Sequence, residues 1–159
     1  MKHIVGIAEM KLSSEAGDLI ITHALGSCLG IAIHDEVAGV GGVLHVMMPV
    51  SSINPEKAEK NPFMFVDTGV PAFFREVYAA GADKARLVVK VAGGANVQDS
   101  SSDRFAIGKR NCVMLRKLFW QNGVLVDAED VGGDIPRTMY LEVGTGRVWI
   151  TVGGKARDM

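Results

Sequence analysis

Apolar residues in the first third of the chain fall in short runs broken by glycines or polar turns. Residues 4–8, 19–24, 28–34 and 43–48 are each of strand length and rich in Ile, Val or Leu. Residues 49–61 are polar, contain Pro49 and Pro55 and lead into Pro62, which reads as a mobile surface loop. The period then changes. Val70, Phe73, Phe74, Val77 and Tyr78 lie at helical spacing, with Asp67 as the expected cap, a run to Ala80 and Gly81 as the stop. Pro71 is compatible with that helix only in its first turn.

Residues 86–91 form a β-branched run, expected as a buried strand ending in Gly93-Gly94 and a Ser/Asp-rich loop. A second helix is expected over residues 108–122, with Gly123 as its C-terminal signal, followed by a strand over 124–131. Residues 138–143 and 147–152 flank Gly144-Thr145-Gly146, a hairpin signal. Strands, helix, strand, helix, then strands predict one α/β domain over residues 1–159. Its architecture would be a layered sandwich of mixed or antiparallel sheet with flanking helices, rather than a doubly wound parallel fold.

Composition narrows the function classes. With 48% hydrophobic and 22% charged residues and a net charge of −1, the chain has an ordinary globular balance and no basic block to hold nucleic acid. Lys109, Arg110, Arg116 and Lys117 are spaced as the solvated face of a helix. The two cysteines, Cys28 and Cys112, are too few for a disulfide framework, and no run is apolar enough to span a membrane. A cytoplasmic protein without membrane insertion is the expectation, and a monomer is the default assembly.

Gly26-Ser27-Cys28 sits between two expected strands, where a sulfur can be exposed while its backbone amide stays free to stabilise an oxyanion. A free thiol has a pKa near about 8.5, so a nucleophile here needs a base. If residues 28–34 and 40–48 form a hairpin about residues 35–39, Cys28 faces His45 to within one or two register steps. Thr22, six positions before Cys28, is the candidate third member: its hydroxyl or carbonyl could hold one imidazole nitrogen. A structural Thr in a strand and a buried structural Cys are the competing readings. His23, Cys28, His34 and His45 match no standard metal-ligand spacing, so no metal is expected. Cys112 reads as core, and His3 and His34 as structural or solvated. Gly93-Gly94 lacks the Lys-Ser/Thr of a phosphate loop.

Several segments then form an ordered series: Thr22-His23-Ala24-Leu25-Gly26-Ser27-Cys28, Gly42-Val43-Leu44-His45-Val46-Met47-Met48-Pro49 and Phe65-Val66-Asp67-Thr68. Val91-Ala92-Gly93-Gly94-Ala95, Ile107-Gly108-Lys109-Arg110-Asn111 and Glu129-Asp130-Val131-Gly132-Gly133 continue it. Together they resemble the CheD family of chemoreceptor glutamine deamidases. The resemblance implies a Cys-His-Thr set on Cys28, His45 and Thr22, and no cofactor. It also implies a sandwich similar to that of glutamine-deamidating toxins. The implied substrates are glutamines on the cytoplasmic helices of chemoreceptors, and the implied partner is a CheC-type phosphatase. His23, and Pro136 ahead of Arg137, depart from the family pattern.

The expected chemistry is proton transfer from Cys28 to His45, giving a thiolate–imidazolium pair that attacks the amide. The Cys28 N–H, with another amide of the Gly26-Ser27 turn, would hold the oxyanion. The alternatives are a thiol amidohydrolase of another substrate and a non-enzymatic module that binds and stimulates a CheC-type phosphatase.

Overall fold

The computed structural model describes residues 1–96 and 106–159, in which ten strands build two five-stranded sheets. In chain order the strands are β1 (Lys2–Ile4), β2 (Glu9–Ser13), β3 (Leu19–Leu25), β4 (Leu29–Asp35) and β5 (Val40–Val46). They continue as β6 (Val88–Gly93), β7 (Ala128–Val131), β8 (Arg137–Glu142), β9 (Val148–Val152) and β10 (Lys155–Asp158). The helices are α1 (Pro55–Lys60), α2 (Val66–Ala79) and α3 (Ile107–Asn122). One sheet runs β1-β3-β8-β9-β10 and the other β2-β5-β4-β6-β7. The β1–β3 and β6–β7 pairs are parallel and the remaining pairs antiparallel, so both sheets are mixed, as the sequence pattern predicted.

Two apolar clusters hold the layers together. Ile20, Leu25, Ala32, Val43, Met139, Leu141 and Ile150 fill the space between the sheets. Leu29, Ile31, Leu44 and Val46 face the other way, against Val70, Phe73, Phe74 and Val77 of α2 and Leu115 and Phe119 of α3. The β4–β5 hairpin is therefore covered on both faces, and all seven residues of each strand are buried. That is why both read as continuous apolar runs rather than alternating ones. In β8, which has one solvent-facing side, the alternation is clean.

Several expectations change. Residues 49–61 are not an open loop: residues 51–53 make a helical turn and α1 follows. Asn54 accepts from Lys57 N and precedes Pro55 at the first helical position, so the Asn-Pro pair starts a helix instead of marking a turn. Asp67 does not cap α2, which begins one residue earlier. Its carboxylate accepts from the N–H and hydroxyl of Ser51, each at 2.8 Å, and pins that segment to the helix. Pro71 consequently lies beyond the first turn. The first strand, expected over residues 4–8, lies instead at Lys2–Ile4, and β2 and the exposed β10 had no strong apolar signal. The Ser/Asp-rich loop expected after Gly94 falls at residues 97–105, outside the described residues. The basic residues of α3 are exposed, and Arg116 pairs with Glu129 at 3.3 Å.

Candidate active site

Residues 5–8 cross from one sheet to the other at one end of the sandwich. Val5 N donates to Ile21 O in the first sheet, and Ala8 N donates to His45 O in the second. Under this crossing, Thr22 of β3 meets His45 of β5 across the gap between the sheets. Thr22 Oγ1 lies 2.8 Å from Val5 O and 2.7 Å from His45 Nδ1. The hydroxyl has one proton, and a carbonyl can only accept. The proton therefore goes to Val5 O, and Nδ1–H of His45 donates to the hydroxyl. That fixes the tautomer and leaves Nε2 as a bare lone pair. His45 is only 1% exposed, and its Nε2 has no hydrogen-bond partner among the described residues.

Cys28 begins one residue before β4, on the side of the hairpin that faces the other sheet. The register pairs Gly30 with His45 and Leu29 with Val46, so Cys28 is not directly opposite His45 as the simplest hairpin suggested. It lies two residues along from Gly30, on the same face and diagonal to the imidazole, at the edge of the register range expected. Gly30 is tightly packed. A Cβ there would sit 2.8 Å from Leu25 Cδ1 and 3.1 Å from Met139 Sδ.

The Cys28 loop is shaped by its neighbours. Strand β3 bulges after Thr22, with Ala24 in the left-handed region at φ 57°, and Leu25 turns into the core. Gly26 N donates to Ala24 O at 2.9 Å, so the Gly26 amide is already engaged within the turn. Gly94 N donates to Cys28 O and Ala95 N to Gly26 O, each at 2.8 Å. Gly93, at φ 111°, must be glycine: a Cβ there would collide with the Cys28 carbonyl. Asn111, fully buried on α3, donates through Nδ2 to Ser27 O at 2.9 Å and Met47 O at 3.1 Å. Among the described residues, no carbonyl accepts the Ser27 or Cys28 N–H.

Burial pushes the Cys28 thiol above its usual range, partly offset by its own backbone N–H. Burial also lowers His45 to about 4, against a smaller opposing effect of the Glu9 carboxylate on the neighbouring strand. Both shifts favour the neutral forms. Burial therefore opposes a standing thiolate–imidazolium pair, which the proton transfer expected from the sequence has to create.

Of the predicted residues, Thr22 and His45 are in direct contact, and Cys28 lies diagonal to His45, two residues along from its partner Gly30. His23 is exposed on β3 and His34 bonds Val143 O at 2.8 Å, so these do not gather around Cys28. No group of three or more metal-ligating side chains occurs among the described residues. Cys112 is buried on α3. Sequence reasoning missed Val5, Gly30 and Asn111. For Asn111 a signal existed: it shares the apolar face of α3 with Cys112, Leu115 and Phe119, where an amide is out of place.

The model of a family described as CheD chemotactic sensory transduction matches residues 47–152. A Syntrophus aciditrophicus protein named as a probable chemoreceptor glutamine deamidase CheD 1 is 45% identical, with 98% of each chain covered. One from Solibacter usitatus with a corresponding name is 43% identical, over 98% of this chain and 92% of its own. One from Pyrococcus abyssi is 38% identical, over 95% and 93%. These relatives span the segment that holds Thr22, Cys28 and His45, which the family model does not reach.

Proposed function

The chain belongs to the CheD family, and from that premise we propose that the whole of it is one chemoreceptor glutamine deamidase domain with Cys28 as nucleophile, His45 as base and Thr22 as the group that orients the base. The observation that supports the residue assignment is the Thr22–His45 hydrogen bond, which leaves Nε2 unprotonated and unpartnered on the strand paired with the one that Cys28 leads into.

The substrate is the side-chain amide of a glutamine on a receptor helix. As Cys28 Sγ forms a bond to the amide carbon, His45 Nε2 removes the thiol proton. Transfer is coupled to attack because burial favours the neutral forms of both groups. The carbonyl oxygen gains the negative charge and is held by the Cys28 N–H, with the Ser27 N–H as a second donor. Such donors contribute about 3–4 kcal/mol each. The C–N bond then breaks, His45 returns its proton to nitrogen, and ammonia leaves a thioester. Water attacks that thioester as Nε2 takes its proton, the C–S bond breaks, and the proton returns to sulfur. Glutamate and free Cys28 result. Thr22 holds the imidazolium through Nδ1–H in both halves.

Receptor helices on the cytoplasmic side place the enzyme in the cytoplasm. No helix of the described residues is long and apolar enough to cross a membrane. A CheC-type phosphatase as binding partner belongs to the same proposal through the family resemblance, and a monomer is its default assembly.

Mass spectrometry of a receptor cytoplasmic fragment incubated with the protein tests the reading, beside a Cys28→Ala control. Each conversion of Gln to Glu adds about one mass unit as amide nitrogen is replaced by oxygen. The expected result is an increase that the control lacks. An equal increase with Cys28→Ala would overturn the covalent route. No increase, together with phosphatase stimulation that survives Cys28→Ala, would favour a binding module instead.

A further inference from the structure

We propose that Asn111 is a positioning residue for this reaction: it fixes the Ser27–Cys28 peptide and polarises it, so that the Cys28 N–H is aimed and strengthened as the oxyanion donor. The inference rests on the deamidase reading above. Three successive carbonyls of the nucleophile loop accept hydrogen bonds: Gly26 O from Ala95 N, Ser27 O from Asn111 Nδ2 and Cys28 O from Gly94 N. Two of these donors are backbone and survive any side-chain change. Asn111 supplies the third, and with it the only side chain in the set. Its other N–H reaches Met47 O, two residues beyond His45. One amide therefore ties the segment holding the nucleophile to the segment holding the base.

Both partners are carbonyls, which only accept, so the orientation of the Asn111 amide is fixed with nitrogen toward them. Its Oδ1 is then left buried with no partner among the described residues. A leucine of similar shape would avoid that bare acceptor, so the amide destabilises the core in one respect while serving the loop in another. A hydrogen bond donated to the Ser27 carbonyl draws electron density from the peptide that ends in the Cys28 N–H. In a low-dielectric site such chains strengthen one another. The donor gains most when negative charge develops on the substrate oxygen, which is the transition state and not the resting complex.

Asn111→Leu and Asn111→Ser test this, with three readouts on each folded variant. In deamidation of the receptor fragment, Asn111→Leu is expected to lower kcat by roughly 10–100-fold with KM little changed, less than outright loss of an oxyanion donor. Alkylation of Cys28 by iodoacetamide needs the thiol and His45 but no oxyanion, so its rate and pH midpoint should match wild type. A peptide aldehyde placed where the glutamine amide would sit adds Cys28 sulfur to its carbonyl carbon. Its affinity, read as protection from alkylation, should fall in parallel with kcat. Asn111→Ser, which keeps one donor, should lie between leucine and wild type, and it carries the test alone if the leucine variant does not fold. Unchanged kcat, or equal losses in kcat and alkylation rate, would overturn the proposal. A wild type that converts no glutamine would overturn the underlying reading, and the aldehyde measurement would still decide the role of Asn111.

Discussion

The β4–β5 hairpin carries a buried histidine near each end, and the two have almost the same local setting. His34 on β4 is paired with Gly41, and His45 on β5 is paired with Gly30. Both point between the sheets, and both are under 6% exposed. They differ in what the other sheet offers. At one end His34 meets the Val143 carbonyl, to which Nε2–H donates at 2.8 Å. At the other, His45 meets a hydroxyl whose own proton is already given to Val5 O, so Nδ1–H donates and Nε2 is left over. A carbonyl makes a histidine structural. A hydroxyl anchored from behind leaves one with a bare Nε2, as the proposed base requires.

The largest effect that would break this comparison is at the proposed base. His45→Ala should lower deamidation turnover by about 10²–10⁴-fold in a folded protein, measured by steady-state kinetics, as expected on loss of a general base. An unaffected turnover would remove His45 from the reaction.

Acid comes next. His45 is neutral when folded down to a pKa of about 4, below its ordinary 6.5, so the unfolded chain binds more protons between these values. The associated stability is fully present above the unfolded pKa and is lost as pH falls toward the folded one. Urea unfolding at a series of pH values should show wild type losing about 3 kcal/mol across this window, a loss absent in His45→Gln.

Thr22→Val keeps shape and removes both hydrogen bonds. Since bonds to charged groups contribute about 1.5–3 kcal/mol, kcat should fall roughly thirtyfold, while Cys28 remains open to alkylation. The smallest effect sharpens the contrast from the other end. His34→Leu should leave turnover intact and lower stability by about 1 kcal/mol or somewhat more, through the unpaired Val143 carbonyl. Loss of turnover there would make the two ends equivalent.

Much of the fold was legible because patterning is local. The two-sided burial of β4 and β5 appears as unbroken apolar runs, the α2 and α3 faces as helical spacing, and the β8–β9 hairpin as a glycine turn. What failed was local information that was ambiguous or faint. Asn54-Pro55 serves equally as a turn or as a cap followed by a first helical residue. Asp67 had a more distant partner in Ser51, and the exposed β10 has only Ala156 among its charged residues, too little to announce it.

The sequence by itself supplied the candidate chemistry: a thiol two residues after Gly26, an imidazole on the next strand of the expected hairpin, and the covalent route these would permit. It also placed both on one hairpin, within two register steps. Tertiary structure alone decided that Thr22, on the other sheet, would take Nδ1 and not Nε2, that Asn111 would reach from α3 to Ser27, and that burial would favour the neutral forms of Cys28 and His45. The reason is physical. Periodicity fixes which side of a strand or helix a residue occupies, but contact between layers depends on how separate elements pack. Protonation depends on the solvent that this packing excludes.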